Sequence, residues 1–120
     1  MSLAHEFGKS CEALAAESLR RAGWHIVARN YRFGHREIDL IARRDAIVAF
    51  VEVKARRGRG YGHPLEAITW RKRREIAAVA THWIERCGAK GVTFRFDAIA
   101  VTQIGDGSPT IEHVEDAWRL

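Results

Sequence analysis

The stretch Glu37-Ile38-Asp39-Leu40-Ile41-Ala42, followed after Arg43-Arg44-Asp45-Ala46 by Ile47-Val48-Ala49-Phe50-Val51-Glu52-Val53-Lys54, decides how this chain is read. Both runs are short, apolar and rich in β-branched residues, which marks them as strands. The four residues between them suit a hairpin loop, so the two strands form an antiparallel pair. Side chains alternate along a strand, so Glu37, Asp39 and Ile41 share one face, as do Val48, Phe50, Glu52 and Lys54. Pairing Ala42 with Ile47 sets Glu37 opposite Glu52 and Asp39 opposite Phe50, and residues directly opposite lie on the same face. The expected result gathers Glu37, Asp39, Glu52 and Lys54 at one end of the hairpin, with apolar residues of the same face behind them.

Three carboxylates beside one ammonium repel each other and lose hydration unless something compensates them. A divalent cation does so. Hard oxygen ligands on rigid strands suit Mg²⁺ or Mn²⁺, and water held there becomes a better nucleophile. Lys54 would then orient that water or stabilise charge developing on a phosphate. A Glu-x-Lys in a strand is more often a plain cross-strand ion pair. Its occurrence with Asp39 in register, and with a basic loop directly after it, favours a site.

Outward from the hairpin, Phe7, Cys11, Leu14, Ala15, Ser18, Leu19 and Ala22 recur at helical spacing before Gly23, predicting an amphipathic first helix. Trp24 to Asn30 reads as a short strand, and Phe33 to Arg36 as a turn around Gly34. Thr69 caps a long helix with the stripe Ile76, Val79, Ala80, Trp83 and Ile84, ending near Gly88. Val92 to Val101 is a fourth strand. Asp106 to Pro109 is a turn, leaving a short final strand and a tail carrying Trp118. The order helix, three-stranded meander, helix, strand predicts one α/β domain over residues 1–120, a mixed sheet flanked by helices on both faces.

The 120 residues carry a formal charge of +5, with 47% hydrophobic and 29% charged residues, the balance of a soluble globular protein. No apolar run reaches the length of a membrane span, and the N-terminus has no basic segment followed by an apolar one. Cys11 and Cys87 are far apart and lack C-x-x-C spacing, which fits a reducing cytoplasm better than a disulfide framework or zinc site. The charge is uneven. Between Lys54 and Arg74 eight basic residues face one acid, a local +7 that leaves −2 for the remainder. Arg56, Arg57 and Arg59 interleave with Gly58, Gly60 and Gly62, and Arg71 and Lys72 open the long helix. Such clusters bind polyanions through counterion release, although Arg71 to Arg74 also suit a solvated helix face.

The segments Glu37-Ile38-Asp39-Leu40-Ile41-Ala42 and Phe50-Val51-Glu52-Val53-Lys54-Ala55-Arg56 resemble the signature of the YraN-like uncharacterised bacterial proteins. That family belongs to the restriction-endonuclease-like PD-(D/E)xK superfamily and is similar to archaeal Holliday-junction resolvases and tRNA-endonuclease-like folds. The likeness extends to Glu12-Ala13, Asn30-Tyr31-Arg32, Tyr61-Gly62-His63-Pro64 with Lys72 beyond, and Arg95-Phe96-Asp97. It implies a restriction-endonuclease-like core. It also implies that Asp39 and Glu52 bind the metal, that Lys54 is the catalytic lysine, and that Glu12 is an additional catalytic acid. Glu37 matches the motif as a further acid, and Arg56 and Lys72 match as candidates for the substrate backbone. Two departures stand out: Arg36 where the family usually has Gly, and Cys11 where Gly often precedes the first-helix Glu.

Spacing alone reads Glu12 as a solvated acid at the edge of the apolar stripe, and Asp97 as the partner of Arg95 or of a base on the long helix. The six histidines show no metal-binding spacing. The four tryptophans read as core or interface anchors, with base stacking an alternative for Trp70 beside Arg71. The leading expectation is a Mg²⁺- or Mn²⁺-dependent endonuclease acting on DNA rather than RNA, with branched or structured DNA a candidate substrate. In it Arg56, Arg57, Arg59, Arg71 and Lys72 hold the backbone, and a homodimer would suit cutting of two strands. The alternative is a non-catalytic nucleic-acid-binding module retaining the nuclease fold. A third reading is an interaction protein whose motif charges form a structural network.

Overall fold

A computed structural model describes residues 2–119 of the chain. Helix α1 spans Leu3–Arg21 and starts at Ser2, whose side chain accepts from the His5 N–H at 3.1 Å. It stops where Gly23 takes a φ of 90° and turns the chain into strand β1, His25–Phe33. Strands β2 (Arg36–Arg44) and β3 (Ile47–Arg57) complete the meander. A glycine-rich loop and a 3-10 turn at Pro64–Ala67 lead to helix α2, Trp70–Cys87. Thr69 caps α2 through the Lys72 N–H, and Gly88 closes it in the left-handed conformation at φ 59°. Strand β4 (Thr93–Gln103) follows, then β5 (Thr110–Trp118).

The five strands lie in sequence order, and only β3 and β4 run parallel. A parallel pair needs a crossover, and α2 supplies it on one face while α1 covers the other. Cys11, Ala15, Ala16 and Leu19 pack on Leu40, Ala42, Ala49 and Val51 on the α1 side. Ile76, Val79, Ala80 and Trp83 pack on Ile41, Val48 and Phe50 on the α2 side. The expected α/β class, with a mixed sheet between helices, is what the chain adopts. No helix among the described residues is long and apolar enough to cross a membrane.

The central register differs from the one expected. Arg44 pairs with Ile47, Ile41 with Phe50 and Leu40 with Val51. The loop shrinks to Asp45-Ala46, made feasible by Asp45 at φ 53°. The two-residue shift preserves which residues share a face and changes which stand opposite, so Asp39 rather than Glu37 comes level with Glu52. Glu37 pairs instead with Arg32 of β1. Two further boundaries move. Strand β1 runs past Asn30 to Phe33, and β5 reaches Trp118, which is buried and stacks on Phe96 with ring centroids 5.2 Å apart.

Alternation along β2 also breaks at Asp39. Leu40 and Ala42 pack toward α1, yet Ile38 and Ile41, three residues apart, both pack toward α2. Neighbouring β1 is irregular at the same level, where Asn30 adopts φ 50°. A strict period of two would have kept Glu37 and Asp39 on one face; with the slip they take different partners, Asn30 for Glu37 and the Val53 N–H for Asp39.

Candidate acidic site beside a basic cleft

The slip turns the Asp39 carboxylate toward β3, where Oδ2 accepts from the Val53 N–H at 2.8 Å. The β2–β3 ladder ends just before this point, at Leu40 and Val51, so a side chain takes over a position that backbone would otherwise fill. Glu52 lies on the α2 side of β3, opposite in direction to Val51 and Val53, which pack toward α1. It is 5% exposed, and its Oε2 has no hydrogen-bond partner. Lys72 Nζ approaches that oxygen to 3.7 Å, an ion pair beyond hydrogen-bond range. Burial, and then the Glu52 carboxyl group facing it, push Asp39 up to about 8 against the opposing effect of the Val53 N–H.

Glu37 and Glu12 are held by one shared donor, while the Glu37 charge still adds to the influences that raise Asp39. Asn30 Nδ2 donates to Glu37 Oε1 at 2.8 Å and to Glu12 Oε1 at 2.9 Å, while Arg32 pairs with Glu37 at 3.0 Å and Lys9 with Glu12 at 3.6 Å. The expected gathering of Glu37, Asp39, Glu52 and Lys54 is therefore divided. Asp39 and Glu52 meet, whereas Glu37 joins Glu12 on the α1 side. Lys54 is half-buried two residues beyond Glu52, beside Ala100 of β4, with no ion pair among the described residues.

Among the described residues no three His, Cys, Asp or Glu side chains converge as a metal cluster. The Asp39–Glu52 pair nevertheless has the donor chemistry of a Mg²⁺ or Mn²⁺ site. It offers hard oxygens on two strands, one of them a buried oxygen without a hydrogen bond. Mg²⁺ commonly takes one or two carboxylates and completes its shell with water and phosphate.

The basic residues divide as well. Arg56 is buried, with Nη1 donating to the Gly62 carbonyl at 3.1 Å. Arg57 lies over the Phe7 ring at 3.9 Å and lines a separate cleft of about 460 Å³ between α1 and the β4–β5 turn. Arg59 projects into solvent between Gly58 and Gly60, whose φ values of 86° and 92° reverse the loop. Arg71 is exposed and 3.6 Å from Glu75. Sequence reasoning assigned no binding role to His35, included Arg74 only as part of the basic run from Lys54 to Arg74, and noted Arg36 only as a departure beside the site. With Arg71 and Glu75 these line a cleft of about 230 Å³ between the β1–β2 turn and α2. Arg36 begins β2 three residues before Asp39, about 10 Å along an extended strand. Two basic positions of α2 and a turn residue distant in sequence meet there, a convergence visible only once the crossover is placed.

Asp97, read from sequence as a partner of Arg95, is the hub of a structural network. It is fully buried, receives two bonds from Arg95 at 3.0 and 3.1 Å and one from the Asp116 N–H at 3.0 Å, and meets His113 Nε2 at 2.7 Å. Burial works against its ionisation, but His113, Arg95 and the Asp116 N–H outweigh it and hold the carboxyl below its ordinary range.

A helix, an antiparallel meander, a crossover helix and a parallel strand, with Asp39 and Glu52-Val53-Lys54 on the central strands, define a restriction-endonuclease-like core. The chain belongs to the family described as "Uncharacterised protein family UPF0102", which it matches over residues 11–101. It is 42% identical to a UPF0102 protein of Chloroherpeton thalassium, over 94% of this chain and 93% of that one. It is 47% identical to one of Rhodococcus jostii, over 92% and 94%. A third, from Symbiobacterium thermophilum, is 40% identical over 98% and 99%.

Proposed function

We propose that this protein is a nucleic-acid-binding module on a nuclease core, gripping the sugar-phosphate backbone beside the Asp39–Glu52 pair. The observation that carries this reading is the meeting of Arg36, Arg71 and Arg74 on one cleft at the start of the strand that bears Asp39. Guanidinium groups suit phosphate because their planar donors bind its oxygens in pairs. Arg59 extends the same charge along the loop. The test is a titration with DNA and RNA over a salt series. Affinity should fall steeply with salt, and Arg36→Ala or Arg74→Ala should each reduce the slope of log K against log salt by about 1. Failure to bind either polymer at low salt would sink the reading.

A second reading, metal-dependent hydrolysis of DNA phosphodiesters, is favoured by one specific observation, the buried Glu52 Oε2 without a hydrogen bond on the strand beside Asp39. A Mg²⁺ or Mn²⁺ ion held by Asp39 and Glu52 would supply Lewis-acid polarisation of the phosphate and a more acidic water. Lys72 offsets the charge on Glu52, and Lys54, with no competing ion pair, is free to face a phosphate oxygen. Nicking of DNA that needs Mn²⁺ and disappears in Asp39→Ala and Lys54→Ala supports this reading. Salt-sensitive binding indifferent to EDTA and to Asp39→Ala leaves the module non-catalytic.

A further inference from the structure

We propose that Tyr61 and Trp70 are stacking platforms for unpaired bases, so that the nucleic acid bound here is single-stranded or splayed open at the site. This rests on the nucleic-acid reading above and specifies its substrate. Both rings lie in the connection from β3 into α2, flanking the 3-10 turn and bracketed by Arg59 and Lys72. Tyr61 is 52% exposed and Trp70 62%, whereas Trp24, Trp83 and Trp118 are all below 10%.

Exposure alone means little, since single apolar side chains are common on surfaces. The support behind each ring distinguishes these two. The Arg56 guanidinium lies 5.0 Å from the Tyr61 ring centroid, and the Arg73 guanidinium lies 4.5 Å from that of Trp70. Neither arginine is free to leave. Arg56 is buried and bonded to the Gly62 carbonyl, while Arg73 donates to the Ile68 and Leu65 carbonyls at 3.0 and 3.2 Å. Tyr61 is also tied by its hydroxyl, which donates to the Arg57 carbonyl at 2.9 Å.

Each ring therefore has a cation against it and a large open surface toward solvent. Fixing the rings beforehand removes most of the ordering entropy that binding would otherwise cost. A base stacks on such a surface whatever its identity, because every base presents a π face, and nearby Arg59 and Lys72 can neutralise the attached phosphates. In a closed duplex the π faces are already stacked and the platforms have nothing to receive.

The test is a fluorescence and affinity titration with an oligo-dT strand and a fully paired duplex of the same length, at one salt concentration. The strand should quench tryptophan emission. Trp70→Ala should weaken strand binding by about tenfold and leave duplex binding within about twofold, and Tyr61→Ala should behave alike. Trp70→Phe should keep strand affinity within about threefold yet lose the quench, since the remaining tryptophans are buried. The proposal is overturned if Trp70→Ala and Tyr61→Ala bind the strand as native protein does, if strand and duplex weaken equally, or if the quench survives in Trp70→Phe. Those results leave backbone binding standing. Failure of native protein to bind either probe removes both readings.

Discussion

Lys72 Nζ stands 3.7 Å from Glu52 Oε2, and among the described residues it is the one cation paired with that buried carboxylate. Lys72 extends from the first turn of α2, and the Glu52 side chain it meets is 6% exposed against 37% for its own. The contact ties the crossover helix to the central strand by charge as well as by packing. Removing the ammonium leaves a buried carboxylate without compensation. Lys72→Met should therefore destabilise the metal-free protein at neutral pH by about 1–2 kcal/mol, less than a wholly buried pair because Lys72 is partly solvated. Urea unfolding in EDTA reads this; an unchanged midpoint would show that the pair contributes nothing.

Asp39 gives the metal-free protein a pH dependence of definite sign. Its carboxyl group is pushed from 3.8 to about 8 in the folded chain, so the folded state holds the proton more tightly than the unfolded state. The resulting stability is complete below pH ~4 and is lost as pH rises through about 8. Thermal midpoints in EDTA should decline across that window from this group, and Asp39→Asn should flatten the decline. Equal slopes in the two proteins would contradict the assignment. Because a cation must displace the same proton, Mn²⁺ affinity measured by calorimetry should rise over this window in native protein and be lost in Asp39→Asn.

Asn30 holds Glu12 and Glu37 through a single amide nitrogen. Asn30→Asp replaces that donor by a third carboxylate without changing the shape of the side chain. The variant should lose about 1–3 kcal/mol at pH 7 and recover much of it below pH ~4, where the acids protonate. Chemical denaturation at both pH values checks this, and a loss independent of pH would assign the effect to the backbone at φ 50° instead.

Asp97 sits apart from the acid pair, and its replacement separates architecture from function. Asp97→Ala removes the shared partner of Arg95, His113 and the Asp116 N–H, and should cost about 3–5 kcal/mol. Its low pKa means that the native contribution is present above pH ~3.8 and fades as pH falls through the folded value. Under conditions where the variant remains folded, nucleic-acid affinity should match native protein, which a binding titration measures directly.

The sheet was legible in Ile38 to Lys54 because two short β-branched runs across a brief polar break have few other structures open to them. The helix limits were legible for the same kind of reason: Gly23, Thr69 and Gly88 each do something that few other residues do as well. The approach of Asp39 to Glu52 was legible, but the placing of Glu37 directly opposite Glu52 was not correct. It rested on unbroken alternation, and the slip at Asp39 arises from packing of Ile38 and Ile41 against α2, which no local pattern in β2 reveals. The convergence of Arg36 with Arg71 and Arg74 likewise depends on where the crossover lays α2. Strand β5 was underestimated because His113, Glu115 and Asp116 interrupt its apolar positions, and their reward lies in pairing with β4 and in the Asp97 network.

The parallel pairing of β3 with β4 also sets two ranges of contact in the chain. Leu40 and Val51 meet across a two-residue turn, a closure that is local and fast. Val53 meets Ile99 only after the glycine loop and all of α2 have been laid down between them, the slower closure. The strand pairing that brings the acids level is thus short in sequence, whereas the lysine paired with Glu52 reaches it only by way of the crossover. The covering of the acidic centre is therefore a long-range property of the fold, supplied by the crossover helix and not by the hairpin that carries the acids.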